Sequence, residues 1–503
     1  MRTRGRRALL MAILAGVVLA LFLPAAPPPV LANPHRTPFR WRENPRWFGL
    51  EARFRQLRLA GCAQITARID AELRRGQRFI DVVESRAWDV QAPVFDSVES
   101  NTFDLGPMIG VCTGRLPDYI RLINRSRSAV KRQSQRWDIA AQATKDRMYR
   151  LLYGGRAALE EVMLQDSAAA RPALVLADDE PSQTPYTRIL GATIHSGDLL
   201  VSRGGAQVSA LIAVGNDYPG NFSHVAIVHV DEHSSLASVI ESRPGTGVAV
   251  HRLDDYLADV KLRIMILRLR ADLPVLVADP MLPHKAAIRA MDGARRRHIP
   301  YDFEMDQYDP ARMYCSEVVS SAYAKVGVTL WMGISSISSP GVFSWLSGMG
   351  VRQFEAQQPS DLEYDPQVRV VAEWRNPETL FMDHVDNVVT EAMLQGAERG
   401  ETLRYPWYLL PQARVAKLYS VVAHALGFHS PIPEGLATDP ALQILTFNVI
   451  HNAIKRHVLL EADAFRRQQA YVAPEWQLLR FAKQATEDYR SYRAYLAALR
   501  QEL

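Results

Sequence analysis

The sequence predicts an α+β chain, with a central block of short strands and packed helices set between two helical flanks. Three observations lead there. From residue 189, short β-branched or alternating runs recur, separated by Gly, Pro, Asn and Asp. Before them, and again beyond about residue 360, apolar residues follow helical spacing. The 503 residues exceed one ordinary core, and a content of 48% hydrophobic and 22% charged residues is that of a globular chain. The expected units are 1–32, 33–188, 189–360 and 361–503.

The first unit reads as a signal peptide. "MRTRGRR" carries four arginines and no acid, "ALLMAILAGVVLALFL" is unbroken apolar, and Val30-Leu31-Ala32 supplies a small-residue exit. Cleavage after Ala32 would deliver a periplasmic or extracellular protein. The alternative is an uncleaved helix anchored in the inner membrane, although the apolar run falls short of the ~20 residues that span a bilayer. Without the four arginines, the formal net charge falls from +5 to +1. Near-neutrality gives no support to a nucleic-acid partner.

Helical periodicity opens the second unit in "FGLEARFRQLRLAGCAQITARIDAELRRG" and returns over 117–165 in a polar-rich run with recurring Ile, Ala, Met and Leu. Such sparsely apolar helices pair with one another or lie across a neighbouring domain. "LADDEPSQTPYTR" (176–188), with its two prolines, reads as a linker. Export places the chain in an oxidising compartment, where Cys62 and Cys112 are candidate disulfide partners. A bridge closing about fifty residues stabilises by roughly 4 kcal/mol in the chain-entropy model; two buried free thiols are the alternative.

The third unit holds "GDLLVSRG", "FSHVAIVHV", "LASVIES", "GVAVHRL" and "KLRIMILRL" as strands, followed by helices in "PHKAAIRAMDGARRRHI" and in the stretch that starts at Cys315. In the fourth unit, Asn376-Pro377 and Asp439-Pro440 both read as an N-cap followed by N1. Phe381, Val385, Val388 and Ala392 trace one helical face. Tyr405, Trp407 and Tyr408 cluster as core residues or as a grip on an apolar or glycan surface.

The chemistry narrows by elimination. The chain has no G-x-S-x-G elbow, no P-loop, no H-E-x-x-H and no strand followed by a Rossmann glycine pattern. Its thirteen histidines form no ligand-spaced cluster with cysteines, so neither a metal nor a cofactor is expected. A thiol mechanism needs a thiolate, a base, an orienting group and an oxyanion hole. Cys315 follows "DPARMY" and opens a run with Val318, Val319, Ala322 and Val326 at helical spacing. A first-turn thiol faces unpaired N–H groups and the positive dipole end, which lower its pKa. His224, near the start of a strand, is the candidate base. Glu241, 17 residues on and one strand later, is the candidate orienting acid. His229 lies on the opposite strand face by parity and reads as exposed or structural. Taken singly, each residue has an ordinary explanation, in packing for the cysteine, structure for the histidine and a solvated face for the glutamate.

The stretches "GDLLVSRG" (197–204), "FSHVAIV" (222–228), "VIES" (239–242), "GVAVHRLDDYL" (247–257), "IPYDFEMD" (299–306) and "YCSEVVSSAY" (314–323) occur in one order. In that order they resemble the circularly permuted papain-like (NlpC-type) cysteine hydrolases, in their YiiX/YebB-like branch. The resemblance spans about 189–350, a third of the chain, and implies a permuted papain-like domain of antiparallel sheet and packed helices. It makes His224 the base, Glu241 the orienting acid and Cys315 the nucleophile. Tyr301 and Asp302 match a site-shaping "YD" motif and, with Ser223 and Tyr314, are the implied substrate-binding residues. Asp198 is implied as a turn residue. The implied partner is a cell-wall peptide, or alternatively a lipid whose amide or ester bond is cleaved or transferred. The helical flanks match nothing familiar, and peripheral contact with the cell envelope is expected of them. A non-catalytic envelope scaffold is the remaining alternative.

Overall fold

The computed structural model describes residues 21–23, 36–39, 45–166, 174–177, 179–428 and 430–502. Except for 21–23, the expected signal peptide lies outside the described residues. The N-terminal helices are α1 (Pro45–Ala60), α2 (Cys62–Ser85), α3 (Pro93–Val111), α4 (Leu116–Ser134), α5 (Gln142–Met148) and α6 (Gly154–Gln165). Next come β1 (Leu174–Leu176), β2 (Tyr186–Ile189), β3 (Ala192–His195), β4 (Leu199–Gly204), α7 (Gln207–Val214), β5 (His224–Val230), β6 (Ala237–Arg243), β7 (Gly247–Arg252), α8 (Leu253–Ala258) and β8 (Lys261–Leu269). Helices α9 (Pro274–Ala278), α10 (Leu282–Arg296) and α11 (Cys315–Ala324) precede β9 (Ser335–Ser336), α12 (Pro340–Gly348), β10 (Glu355–Ala356) and β11 (Val368–Trp374). The chain closes with α13 (Pro377–Glu398), α14 (Leu410–Ala425), α15 (Thr438–Gln469) and α16 (Glu475–Glu502).

A 7-stranded antiparallel sheet, in the order β1-β11-β8-β4-β5-β6-β7, forms the centre. Alternation sorts its side chains. Val225, Ile227 and Ile240 join Ala286 and Ala287 of α10 and Val318, Val319 and Ala322 of α11 in one core. Ala226, Val228 and Val239 join Leu253 and Tyr256 of α8 in another. The N-terminal helices have their own core, around Ile69, Leu105, Tyr119 and Met163. A disulfide joins Cys62, the first residue of α2, to Cys112, just beyond the end of α3. In the C-terminal helices, Val385, Val388 and Ala392 of α13 bury against Phe447 and Ile454 of α15 and Leu478 of α16.

Three expectations need correction. The flanks are not purely helical. Strand β1 comes from the N-terminal flank, and β11, inserted between β1 and β8, comes from the C-terminal flank. "LVL" is too short to register as a strand, and "VRVVAEW" alternates poorly because both its faces are largely covered. The segment 176–188 is not a free linker, since Glu180 accepts the Ala271 N–H at 2.7 Å and its carbonyl accepts from Arg268 at 2.6 Å. Its last residues, from Tyr186, begin a hairpin with β3. Asn376 caps α13, taking the Glu378 N–H at 2.9 Å. Asp439, by contrast, lies inside the first turn of α15, where its carboxylate accepts the Tyr405 hydroxyl instead.

The flanks are joined to the sheet by charge. Arg203 of β4 and Arg263 of β8 stand directly opposite each other, a like-charge pair that is repulsive by itself. Asp383 of α13 lies between them, 3.1 Å from Arg203 and 2.6 Å from Arg263. Arg263 also grips Glu160 of α6 at 2.6 and 3.1 Å, and Glu160 receives Arg375 at 3.0 Å. All of these side chains are buried. Removing one member of such a set leaves the others uncompensated, at a cost of about 3–5 kcal/mol. Asp383→Asn, nearly the same shape, is therefore expected to lower the thermal unfolding midpoint by several degrees. An unchanged midpoint would show that the arginines are balanced without Asp383.

Candidate active site

Cys315 is the first residue of α11, and Tyr314 before it is extended. The Tyr314 N–H donates to Glu317 Oε2 at 2.8 Å, while the Gln357 N–H reaches the Tyr314 hydroxyl at 3.3 Å. Residue N3 thus closes back on the helix start and fixes the turn that carries the sulfur. His224 is the first residue of β5, opposite Ser202 of β4. Glu241 lies within β6 and is fully buried.

These residues meet where the sheet opens. Pairing of β5 with β6 runs from Val230↔Ala237 to Ile227↔Ile240. Closer to the start of β5, the Val225 N–H lies near enough to the Cys315 sulfur to favour its thiolate. By parity, His224 and Glu241 share the sheet face of Ala226 and Val239, whereas Cys315 belongs to the core on the other face. The imidazole spans the opening. Its Nε2 is 2.5 Å from Glu241 Oε2, and its ring is close enough to the Cys315 thiol for each to shift the other's ionisation. With Nε2 committed to the carboxylate, Nδ1 is the ring atom left for sulfur.

The electrostatics favour an ion pair. Burial works against an imidazolium, yet hydrogen bonds to Cys315 and Glu241 raise the His224 pKa to about 9. Burial also works against a thiolate, but the bond and charge of His224, with the Val225 N–H, hold Cys315 below the ordinary thiol value. Glu241 behaves likewise: burial would raise it, and His224 holds it below the ordinary carboxylate value. Its second oxygen faces Arg243 at 3.6 Å and His251 at 3.7 Å.

The other residues singled out from sequence fall around this group in different ways. Tyr301 is close enough to Cys315, Asp302 and Glu317 that burial and their charges oppose its ionisation. Its segment is pressed on the sheet at Gly247, where the Val248 N–H meets the Ile299 carbonyl at 2.9 Å. Gly247 has φ of 66°, and a Cβ there would lie 2.1 Å from the Ile299 oxygen, so only glycine allows this approach. Asp302 accepts the Glu304 and Asp306 N–H groups at 2.9 and 2.5 Å, which turns both carboxylate oxygens into its own loop. Ser223 bonds through its N–H to the Ser202 carbonyl at 3.0 Å and through its hydroxyl to Gly204 N–H, so it fixes the approach to His224. Asp198 occupies a turn, accepting the His195 N–H, and pairs with Arg268 at 2.7 Å. His229 stacks on His284 of α10 with ring centroids 5.3 Å apart, on the sheet face opposite His224.

Two neighbours escaped the sequence reading. The Tyr256 hydroxyl donates to Ser202 Oγ at 2.9 Å, directly beside the His224 pairing position. Glu317, whose pKa burial pushes up to about 9, carries a proton near neutrality beside the nucleophile. The spacing Tyr314-x-x-Glu317 is that of a helix capping box and was the available signal.

Against this geometry, the comparisons are specific. Residues 193–372 match the permuted papain-like amidases, YaeF/YiiX type, family C92. The C92 match runs from β3 to β11, so it takes in the sheet and the helices α10 and α11 that carry the site. Helices α1–α6 and α13–α16 lie outside it. No curated protein and no solved structure matches the chain.

A thiolate–imidazolium pair exists above the depressed thiol pKa and below the His224 value of about 9. Iodoacetamide is therefore expected to alkylate Cys315 at pH 6 faster than a free cysteine, whose thiolate is scarce there. The rate should climb less steeply toward neutral pH than that of free cysteine. His224→Ala should restore the steep profile of an ordinary thiol, and a steep profile in the parent would remove the ion pair.

Proposed function

We propose that the chain is an exported cysteine hydrolase that cleaves amide bonds, with cell-envelope peptides as the leading substrate. The observation that carries this reading is the single line from Glu241 through His224 to Cys315 at the head of α11. The Cys315 thiolate attacks the carbonyl carbon, and the developing oxyanion is met by N–H groups of the first turn of α11. The His224 imidazolium gives its proton to the departing amine as the C–N bond breaks, leaving an acyl thioester. Water then attacks the thioester, losing its proton to His224. The acid is released and the ion pair restored. Glu241 keeps the ring oriented and favours its charged form, while Tyr301 and Tyr314 line the approach.

A second reading, hydrolysis or transfer of lipid amides or esters, uses the same steps. It draws support from the apolar residues exposed on the C-terminal flank. Purified peptidoglycan and a bacterial lipid extract, each incubated with the enzyme and with Cys315→Ala, separate the two readings. Release of new amino groups and carboxylates from peptidoglycan alone is the expected outcome. Release from lipid alone would move the substrate to the second reading, and release from neither would leave a scaffold. On the substrate that responds, His224→Ala is expected to lose about 10²–10⁴-fold in kcat/KM, and Glu241→Gln less.

A further inference from the structure

We propose that the face built on α14 docks on a lipid bilayer and so lays the Cys315 domain against a membrane surface. Helix α14 has its amphipathic pattern reversed. Its buried contacts are Leu410, Ser420 and Ala423, whereas Val415, Leu418, Val422 and Leu426 form a stripe at i, i+3, i+7 and i+11, each more than half exposed. Trp407 before the helix and Phe428 after it extend the stripe, at 67% and 66% exposure. An apolar surface this continuous is a contact surface, since a monomer gains nothing by presenting it to water.

Charge and aromatic placement select the occupant. Between Glu401 and Glu434 the sequence has no Asp or Glu, while Arg404, Arg414 and Lys417 occur there. An interfacial helix combines an apolar face with basic residues at its margin, for anionic headgroups. Trp407 and Tyr408 are the residue types that settle at the headgroup boundary. A second copy placed face to face would bring two acid-free basic margins together, which repel. The N-terminal apolar run also ends on this face. The Phe22 ring is 5.6 Å from that of Trp407, and the Arg414 guanidinium donates to the Leu23 carbonyl. The sequence from Ala8 to Leu23 has no polar side chain, so any cover it made for α14 would itself present apolar groups to water, whereas in a bilayer both are satisfied. Among the described residues, no helix is long and apolar enough to cross a membrane; the face would lie on the surface.

The docking face is tied to the candidate site. The loop from α14 to α15 buries Ile432 and Leu436, pairs Glu434 with His298 at 2.7 Å, and sets Gly435 against the Tyr301 carbonyl.

The test uses residues 33–503, because the described contacts of the fold begin at Arg36, which pairs with Glu355 at 3.0 Å, apart from those of Phe22 and Leu23 themselves. The protein is floated with vesicles of phosphatidylethanolamine and phosphatidylglycerol. The parent is expected to float with the vesicles, and the double substitution Leu418→Glu, Val422→Glu to lower the bound fraction at least tenfold. Cys315 alkylation in the double variant, equal to the parent's, shows that its fold is intact. Three outcomes overturn the proposal: a parent that does not float, a variant that floats equally well, or a parent that sediments as a dimer which the substitutions dissolve. None of these readouts involves hydrolysis, so they leave the proposed function to its own test.

Discussion

Two arginines set opposite each other on neighbouring strands are the constraint around which this molecule is built. Arg203 and Arg263 are fully buried and repel across the β4–β8 ladder. Neither can be desolvated without a carboxylate, and the sheet supplies none at that point. The carboxylates come from outside: Asp383 from α13 and Glu160 from α6. Burial would raise the Glu160 pKa, and Arg263, His384 and Arg375 hold it well below the ordinary value. The sheet therefore needs both flanks for its electrostatic balance, and each flank carries a buried acid that needs the sheet. Arg156–Glu363 at 2.9 Å, together with the Arg127–Glu373 pair, extends the same logic along the N-terminal helices.

The balance reaches the candidate site through β4. Arg203 is adjacent in sequence to Ser202, which faces His224 across the ladder and receives the Tyr256 hydroxyl. The segment entering β5 is held from the other side. The Arg156 guanidinium lies over the Phe222 ring at 5.2 Å, and Ser360 bonds both the N–H and the carbonyl of Phe222, at 3.0 and 3.1 Å. An imidazole that reaches from one sheet face toward a sulfur on the other has little positional slack. Here its strand is fixed two residues before the imidazole, by groups belonging to the flanks and to the loop before β11.

Sequence pattern gave the central strands, the helix that starts at Cys315, and the residues His224 and Glu241, because each depends on local spacing: alternation, helix period and strand parity. The meeting of Cys315 with His224 was legible only through motif order, since nothing local shows β5 parting from β6 beyond Ile227. Strands β1 and β11 were missed because a three-residue edge strand and a strand covered on both faces lack the alternating signature. The ionic network was missed for a related reason. Arg203 and Arg263 look like the polar positions of half-exposed strands, and their burial is decided by helices about forty residues before β4 and more than a hundred after β8. The reading of Asp439 as a cap failed because a carboxylate near a helix start takes whichever donor arrives first, and Tyr405 is delivered from another segment.

The flanks also bear on what the site can admit. Cys315 is 5% exposed and the His224 side chain 19%, so a substrate carbonyl reaches the sulfur only through the space left by neighbouring segments. Tyr301, near enough to Cys315 to feel its charge, is met by the loop after α14, whose Gly435 sits against the Tyr301 carbonyl. That loop belongs to a part of the chain outside the matched family segment. The candidate site is thus held by the segment that matches the C92 model, while a loop that packs on Tyr301 comes from sequence outside the match. Selectivity in a hydrolase follows from the groups that line the approach and pair with the substrate's polar atoms. On the proposed hydrolase reading, residues that decide between substrates are therefore to be sought in α13–α16 and their loops as much as in the matched segment.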